Sequence, residues 1–175
     1  DETMIQDYSG ASPLADIRGW LLSGYNGNLW TGDGIRSSAA AASPGTRALG
    51  YAEASAIGSP AMFAGEAIDN TTILVRFTIL GDANLDRTVN LDDFTSLAAA
   101  FGLASVWSSG DFNYDFVTNL DDFTALAANF GQVVPTDLPR GAAVPEPASA
   151  IALGAGCLLA RASRRARRQP ASDGI

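Results

Sequence analysis

The chain has 175 residues, with 19 Asp and Glu against 11 Arg, no Lys and no His, and a formal net charge of −8. That acidity argues against nucleic acid, since a polyphosphate partner requires a basic patch to release counterions, and it suits a cation. The missing His removes the commonest general base and transition-metal ligand, and the single Cys157 excludes an intrachain disulfide, a CxxC zinc site and a Cys-His pair.

The charge is uneven along the chain. Arg161, Arg164, Arg165, Arg167 and Arg168 lie in the last fifteen positions, so the stretch before Ala148 holds eighteen Asp and Glu against six Arg. The chain starts at Asp1 rather than Met, which suggests the C-terminal part of a longer precursor.

Residues 1–80 are rich in Gly, Ala and Ser and read as the end of an upstream domain with strands. Leu14, Ile17 and Leu21 fall at i, i+3 and i+7 after Ser12-Pro13, which predicts a short helix followed by a loop over 24–28. Thr71 to Leu80 predicts a strand, with Ile73, Val75, Phe77 and Ile79 on one face. Its candidate partners are Met4-Ile5 and Ala48 to Glu53.

An internal repeat dominates the chain beyond this strand. Residues 81–102 recur at 110–131 with fifteen of 22 positions identical. Each copy carries oxygen-bearing side chains at loop positions 1, 3, 5, 9 and 12, the spacing by which a twelve-residue loop wraps calcium. In the first loop these are Asp82, Asn84, Asp86, Asn90 and Asp93; in the second, Asp111, Asn113, Asp115, Asn119 and Asp122. Position 7 supplies a backbone carbonyl, from Thr88 and Val117.

Calcium is hard and takes six to eight oxygens without a strict geometry, so mixed carboxylates and amides suit it. Three carboxylates per loop repel one another without a cation, which couples folding to the metal. Asp92 and Asp121 sit at position 11, outside the ligand spacing. At position 6, where the sharp turn favours glycine, stand Arg87 and Phe116; left-handed geometry there costs about 1–2 kcal/mol.

After each loop Phe94, Leu97 and Phe101, and then Phe123, Leu126 and Phe130, fall at helical spacing, with Gly102 and Gly131 as stops. Two such short helices are expected to pack on one another about a pseudo-twofold axis. The paired loops, each followed by one helix and closed by Asp rather than Glu at position 12, resemble the type I dockerin repeat over 81–131. The resemblance implies two calcium ions, a helical fold, an extracellular location and docking onto a cohesin-like partner. It places the partner contacts at Leu91-Asp92 and Leu120-Asp121.

A linker, 132–143, leads to Val144-Pro145-Glu146-Pro147, an uncharged apolar run over 148–160 and the arginine cluster, with a disordered tail over 169–175. This end, 144–168, resembles the PEP-CTERM sorting signal, in which Arg161, Arg164, Arg165, Arg167 and Arg168 follow a membrane segment. The resemblance implies transient membrane retention, cutting by an exosortase-type enzyme and delivery to the cell surface or extracellular matrix, a combination similar to planctomycete surface proteins.

The expected fold class is therefore mixed. A small all-α pair of calcium loop-helix units, each half an EF-hand, follows a partly β N-terminal segment and precedes an apolar tail helix. The expected function is calcium-dependent docking or anchoring rather than catalysis. Two alternatives stay open: an appendage of a secreted carbohydrate-active enzyme, and a purely structural calcium staple.

Overall fold

The computed structural model describes residues 3–135. Strand β1 (Thr3–Asp7) is followed by helix α1 (Leu14–Tyr25), a single helical turn α2 (Ser38–Ala41) and strand β2 (Arg47–Glu53). A small hairpin, β3 (Met62–Phe63) and β4 (Glu66–Ala67), precedes the long strand β5 (Thr72–Ile79). Helices α3 (Leu91–Ala100) and α4 (Leu120–Asn129) follow the two acidic loops.

The main sheet is antiparallel with order β1-β5-β2. Met4 pairs with Val75 and Ile5 with Leu74 on one side of β5, while Leu49 pairs with Phe77 and Tyr51 with Val75 on the other. The two segments expected as partners of β5 are the two that flank it. Central placement buries Thr72, Ile73, Leu74 and Val75 in succession, so β5 is covered on both faces at that end rather than alternating. Ile17 and Leu21 of α1 are buried, and Asn26 in left-handed geometry caps its C-terminus.

The expectation of a small all-α pair set after a β segment is overturned. The repeat packs together with the three-stranded sheet in one compact unit, Asp1–Thr136. The physical reason lies at loop positions 2 and 4, where Ala83, Leu85, Phe112 and Tyr114 are at most 1% exposed and belong to the same hydrophobic core as Leu49, Tyr51 and Ile73. Gly50 of β2 marks the closeness of the fit: a Cβ there would stand 2.5 Å from Leu85 Cδ2 and 2.6 Å from Trp107 Nε1.

Aromatic rings fill the junction. Tyr114 stacks on Tyr51 with centroids 6.1 Å apart, lies 4.9 Å from Tyr25 and 5.6 Å from Trp107, and its hydroxyl donates to the Leu49 carbonyl at 2.5 Å. The expected tail helix, 148–160, lies outside the described residues. Among the described residues no helix is long and apolar enough to cross a membrane.

Candidate metal centres

The two loops are related by an exchange of backbone bonds. Val89 N–H donates to Gln132 and Gly131 N–H to Val89, at 3.0 and 2.8 Å, while Thr118 N–H donates to Leu103 and Gly102 N–H to Thr118, at 3.1 and 2.8 Å. Each loop is thus bridged, Thr88 to Val133 and Val117 to Ala104, by the segment that follows the other repeat's helix. The bonds correspond one to one across the 29-residue offset, which gives a local pseudo-twofold pairing.

Glycine is required where the repeats touch. A Cβ on Gly81 would lie 2.9 Å from Leu126 Cα, and one on Gly110 would lie 2.8 Å from Leu97 Cα, with φ of +113° and +101°. Only glycine accepts both that conformation and that approach. Leu97 and Leu126 are consequently buried, whereas Phe101 and Phe130 are more than half exposed. The apolar spacing of the helices therefore serves two surfaces: one leucine inward, the phenylalanines outward.

Within each loop the ligand-type residues alternate with core residues. Leu85 and Tyr114 at position 4 have φ of +62° and +63°, and Arg87 and Phe116 at position 6 have +73° and +74°. These left-handed turns wind the chain so that positions 2 and 4 enter the core while 1, 3 and 5 face the loop centre. The strain expected at position 6 is present and recurs at position 4.

Asp82, Asp93, Asp111 and Asp122, at positions 1 and 12, are fully buried. Asp86 and Asp115 are exposed, and Asn84, Asn90, Asn113 and Asn119 are half-buried. Asp93 accepts from Ala83 N–H and Asn90 N–H, both at 2.8 Å; Asp122 accepts from Phe112 and Asn119 N–H at 2.8 and 2.9 Å. Asn90 and Asn119 cap α3 and α4, forming capping boxes with Asp93 and Asp122.

At position 7 the Thr88 and Val117 N–H groups donate to Asp86 Oδ1 and Asp115 Oδ1 at 2.8 and 2.9 Å. The flanking carbonyls of Arg87 and Phe116 accept from Val134 and Ser105. Bridge geometry then turns the position 7 carbonyl away from the bridge and toward its loop.

Burial raises the carboxyls of Asp82 and Asp111 to about 7, with the charges of Asp93 and Asp122 respectively adding to the shift. At Asp82 the Thr78 hydroxyl, which donates to Oδ2, opposes the rise. Burial also raises Asp93 and Asp122, against the pull of their backbone donors. Burial disfavours the charged form of these carboxyls, and an opposite charge within the loop would favour it.

Among the described residues no three His, Cys, Asp or Glu side chains are drawn together as a ready metal cluster. The donors here are instead mixed carboxylate, amide and carbonyl oxygens spread along a wound loop. One atom tests the fit directly. Asp111 Oδ1 is buried without a hydrogen-bond partner, a costly state for a carboxylate oxygen unless a cation meets it. An all-oxygen set with such an atom fits calcium.

The positions expected to contact a partner are at the surface. Leu91 and Leu120 are each 65% exposed, and Asp92 and Asp121 are exposed. Phe94 and Phe123, about a third exposed, meet edge to face, 6.3 Å apart. The sorting-signal residues Val144 to Pro147 and Arg161 to Arg168 lie outside the described residues.

Several contributors are not foreseen from the sequence: Leu85 and Tyr114 at position 4, Trp107, whose Nε1 donates to the Asp82 carbonyl at 2.6 Å, and Thr78. A signal for the first pair exists, because apolar residues at positions 2 and 4 of both loops alternate with the ligands.

No protein-family model matches the chain, and no curated protein matches it either. Among solved structures, "Type II cohesin-dockerin domain from Bacteroides cellolosolvens" is similar at 39% identity, over 32% of this chain and 90% of that chain, with a TM-score of 0.29. So low a TM-score does not establish a shared fold.

Proposed function

We propose that residues 81–131 are a calcium-dependent docking element, in which Asp82, Asn84, Asp86, Asn90, Asp93 and the Thr88 carbonyl hold one ion, and Asp111, Asn113, Asp115, Asn119, Asp122 and the Val117 carbonyl hold a second. The bound ions supply positive charge that neutralises the carboxylates. The observation that carries the proposal is the buried, unpartnered Asp111 Oδ1 in a loop of ligand spacing. The docking patch is Leu91, Phe94, Leu120 and Phe123, rimmed by Asp92 and Asp121, and the partner we propose is a cohesin-like surface protein. The element binds rather than catalyses.

The tail sequence supports a further part of the proposal: an exported protein, held at the membrane through 148–160, cut near Val144-Pro145-Glu146-Pro147 by an exosortase-type enzyme and delivered to the cell surface. Intact mass of protein recovered from native cells checks it; a chain still bearing Arg161 to Arg168 defeats it.

A second reading has an observation of its own. Because Leu85 and Tyr114 sit in the sheet's core, the loops act equally as a calcium staple with no partner. Pull-down from surface extracts separates the two. Docking requires capture that disappears with chelator and on changing Leu91-Asp92 and Leu120-Asp121 together to Ala. Capture unaffected by the paired changes leaves the staple.

A further inference from the structure

We propose that the two loops are unequal and fill in order, the second loop (Asp111 to Asp122) first and the first loop (Asp82 to Asp93) with an affinity lower by about tenfold or more. The inference rests on the calcium reading above and extends it to the order of binding.

The inequality begins at position 1. Asp82 has donors on both oxygens: Asp86 N–H reaches Oδ1 at 3.2 Å, and Arg87 N–H, at 2.8 Å, and the Thr78 hydroxyl reach Oδ2. Asp111 accepts from Phe116 N–H at 3.1 Å through Oδ2, while its Oδ1 is buried with no partner. At Oδ1 the donor that differs is the position 5 N–H, which Asp86 supplies to Asp82; Oδ2 differs as well. Thr78 stands four residues before Asp82, whereas Trp107 stands four before Asp111, and an indole directed to the Asp82 carbonyl at 2.6 Å gives Asp111 nothing. Meeting a cation satisfies the unpaired buried oxygen in the second loop, whereas both oxygens of Asp82 already accept hydrogen bonds.

Charge points the same way. The first loop has Arg87 at position 6 and Arg76 beside it, whose Nη1 donates to the Leu85 carbonyl at 2.7 Å and which feels the charges of Arg87, Asp82 and Asp86. In the second loop position 6 is the neutral Phe116, with Arg18 lying over its ring at 4.3 Å. Equal sets of three carboxylates are therefore offset by two guanidinium groups in one case and one in the other, and site affinity for calcium follows ligand charge.

Trp107 links the two. Its ring packs 5.2 Å from Phe112 and 5.6 Å from Tyr114 in the second loop while its Nε1 holds the start of the first. Closing the second loop fixes the indole that positions Asp82.

The test is a calcium titration of the whole, chelator-treated chain followed by amide NMR. The amides of 112–119 should complete their shifts over the first equivalent, before those of 83–90 move. Parallel movement, or the first loop moving first, overturns the order while leaving calcium binding intact; no movement in either loop overturns both. Calorimetry on two variants gives an independent readout. Asp82→Asn should retain the tight step and Asp111→Asn should lose it, with a gap of about tenfold or more, narrowed by Arg87→Gly. Equal affinities in the two Asn variants overturn the proposal.

Discussion

From Thr3 to Ile79 the buried set is dominated by what a sheet and one helix cover: Ile17, Leu21, Leu49, Tyr51, Ile73, Leu74 and Ile79. From Gly81 onward Leu85, Phe112 and Tyr114 are buried beside Asp82, Asp93, Asp111 and Asp122. The first region is stabilised by apolar burial at roughly 25 cal/mol per Å². The second carries four carboxyls whose desolvation opposes folding unless a cation compensates. Because Tyr114 and Leu85 share a core with β2 and β5, the cost in the second region falls on both.

The largest effect should come from removing calcium. Two sites filled at about a thousand times their Kd would each contribute about 4 kcal/mol, so chelation should lower Tm by about 10 °C or more, in one transition that takes the sheet with it. Near-UV circular dichroism, reporting Trp107 and Tyr114, and far-UV dichroism should change together. A transition in which the sheet survives would break the argument that the two regions share one core.

Proton concentration should move the same balance. In calcium-free protein Asp82 and Asp111 titrate near 7, above the ordinary carboxyl value of 3.8, because of burial. A raised acid means that the folded state binds more protons than the unfolded one across that interval, so stability is fullest below about 4 and declines as pH rises through about 7. Calcium needs the ionised carboxylates, so the rise in Tm that calcium produces should grow over the same range. Calorimetry at pH 5 and pH 8, with and without calcium, measures both. A calcium-free Tm that climbs from pH 5 to 8 contradicts the burial argument.

The regions also differ in how far they are legible in the sequence. β5 is legible because its β-branched run, Thr72–Ile79, has few alternatives, whereas β2, Arg47–Glu53, carries no β-branched residue and is visible only as a short run able to pair with it. The ligand set is legible because oxygen spacing in a calcium loop is a local property. The placement of the repeat against the sheet is harder to see. Ala83-Asn84-Leu85 and Phe112-Asn113-Tyr114 present themselves first as ligand spacing, although their apolar members alternate with the ligands at a period of two and require a covering surface. Gly50 and Trp107 act through contacts made across 25 residues of chain or more, and Thr78, although only four residues from Asp82, lies in the strand and outside the ligand spacing.

Glycine substitutions sharpen the comparison between the repeats. Gly81→Ala and Gly110→Ala each place a Cβ within 3 Å of a helix backbone at positive φ, and each should destabilise by about 2–3 kcal/mol. The symmetric contacts predict similar losses in urea melts. A large loss from one and almost none from the other would show that the backbone exchange is not equivalent on the two sides.

The smallest effect is a gain, placed in the first region to test the second. Gly19 lies inside α1, exposed, with nothing within 4 Å of the place a methyl group would occupy. Its φ is not in the left-handed range, so alanine fits the existing backbone and removes unfolded-state freedom, which should stabilise by about 0.5–1 kcal/mol. Gly19 touches neither loop. If the sheet and the loops melt as one cooperative unit, Gly19→Ala should raise a single Tm by a few degrees both with calcium and without it, and leave the calcium affinities of the folded protein unchanged. A gain seen only in a separate transition, unmoved by chelator, would mean that α1 and the sheet unfold independently of the loops despite the aromatic junction between them.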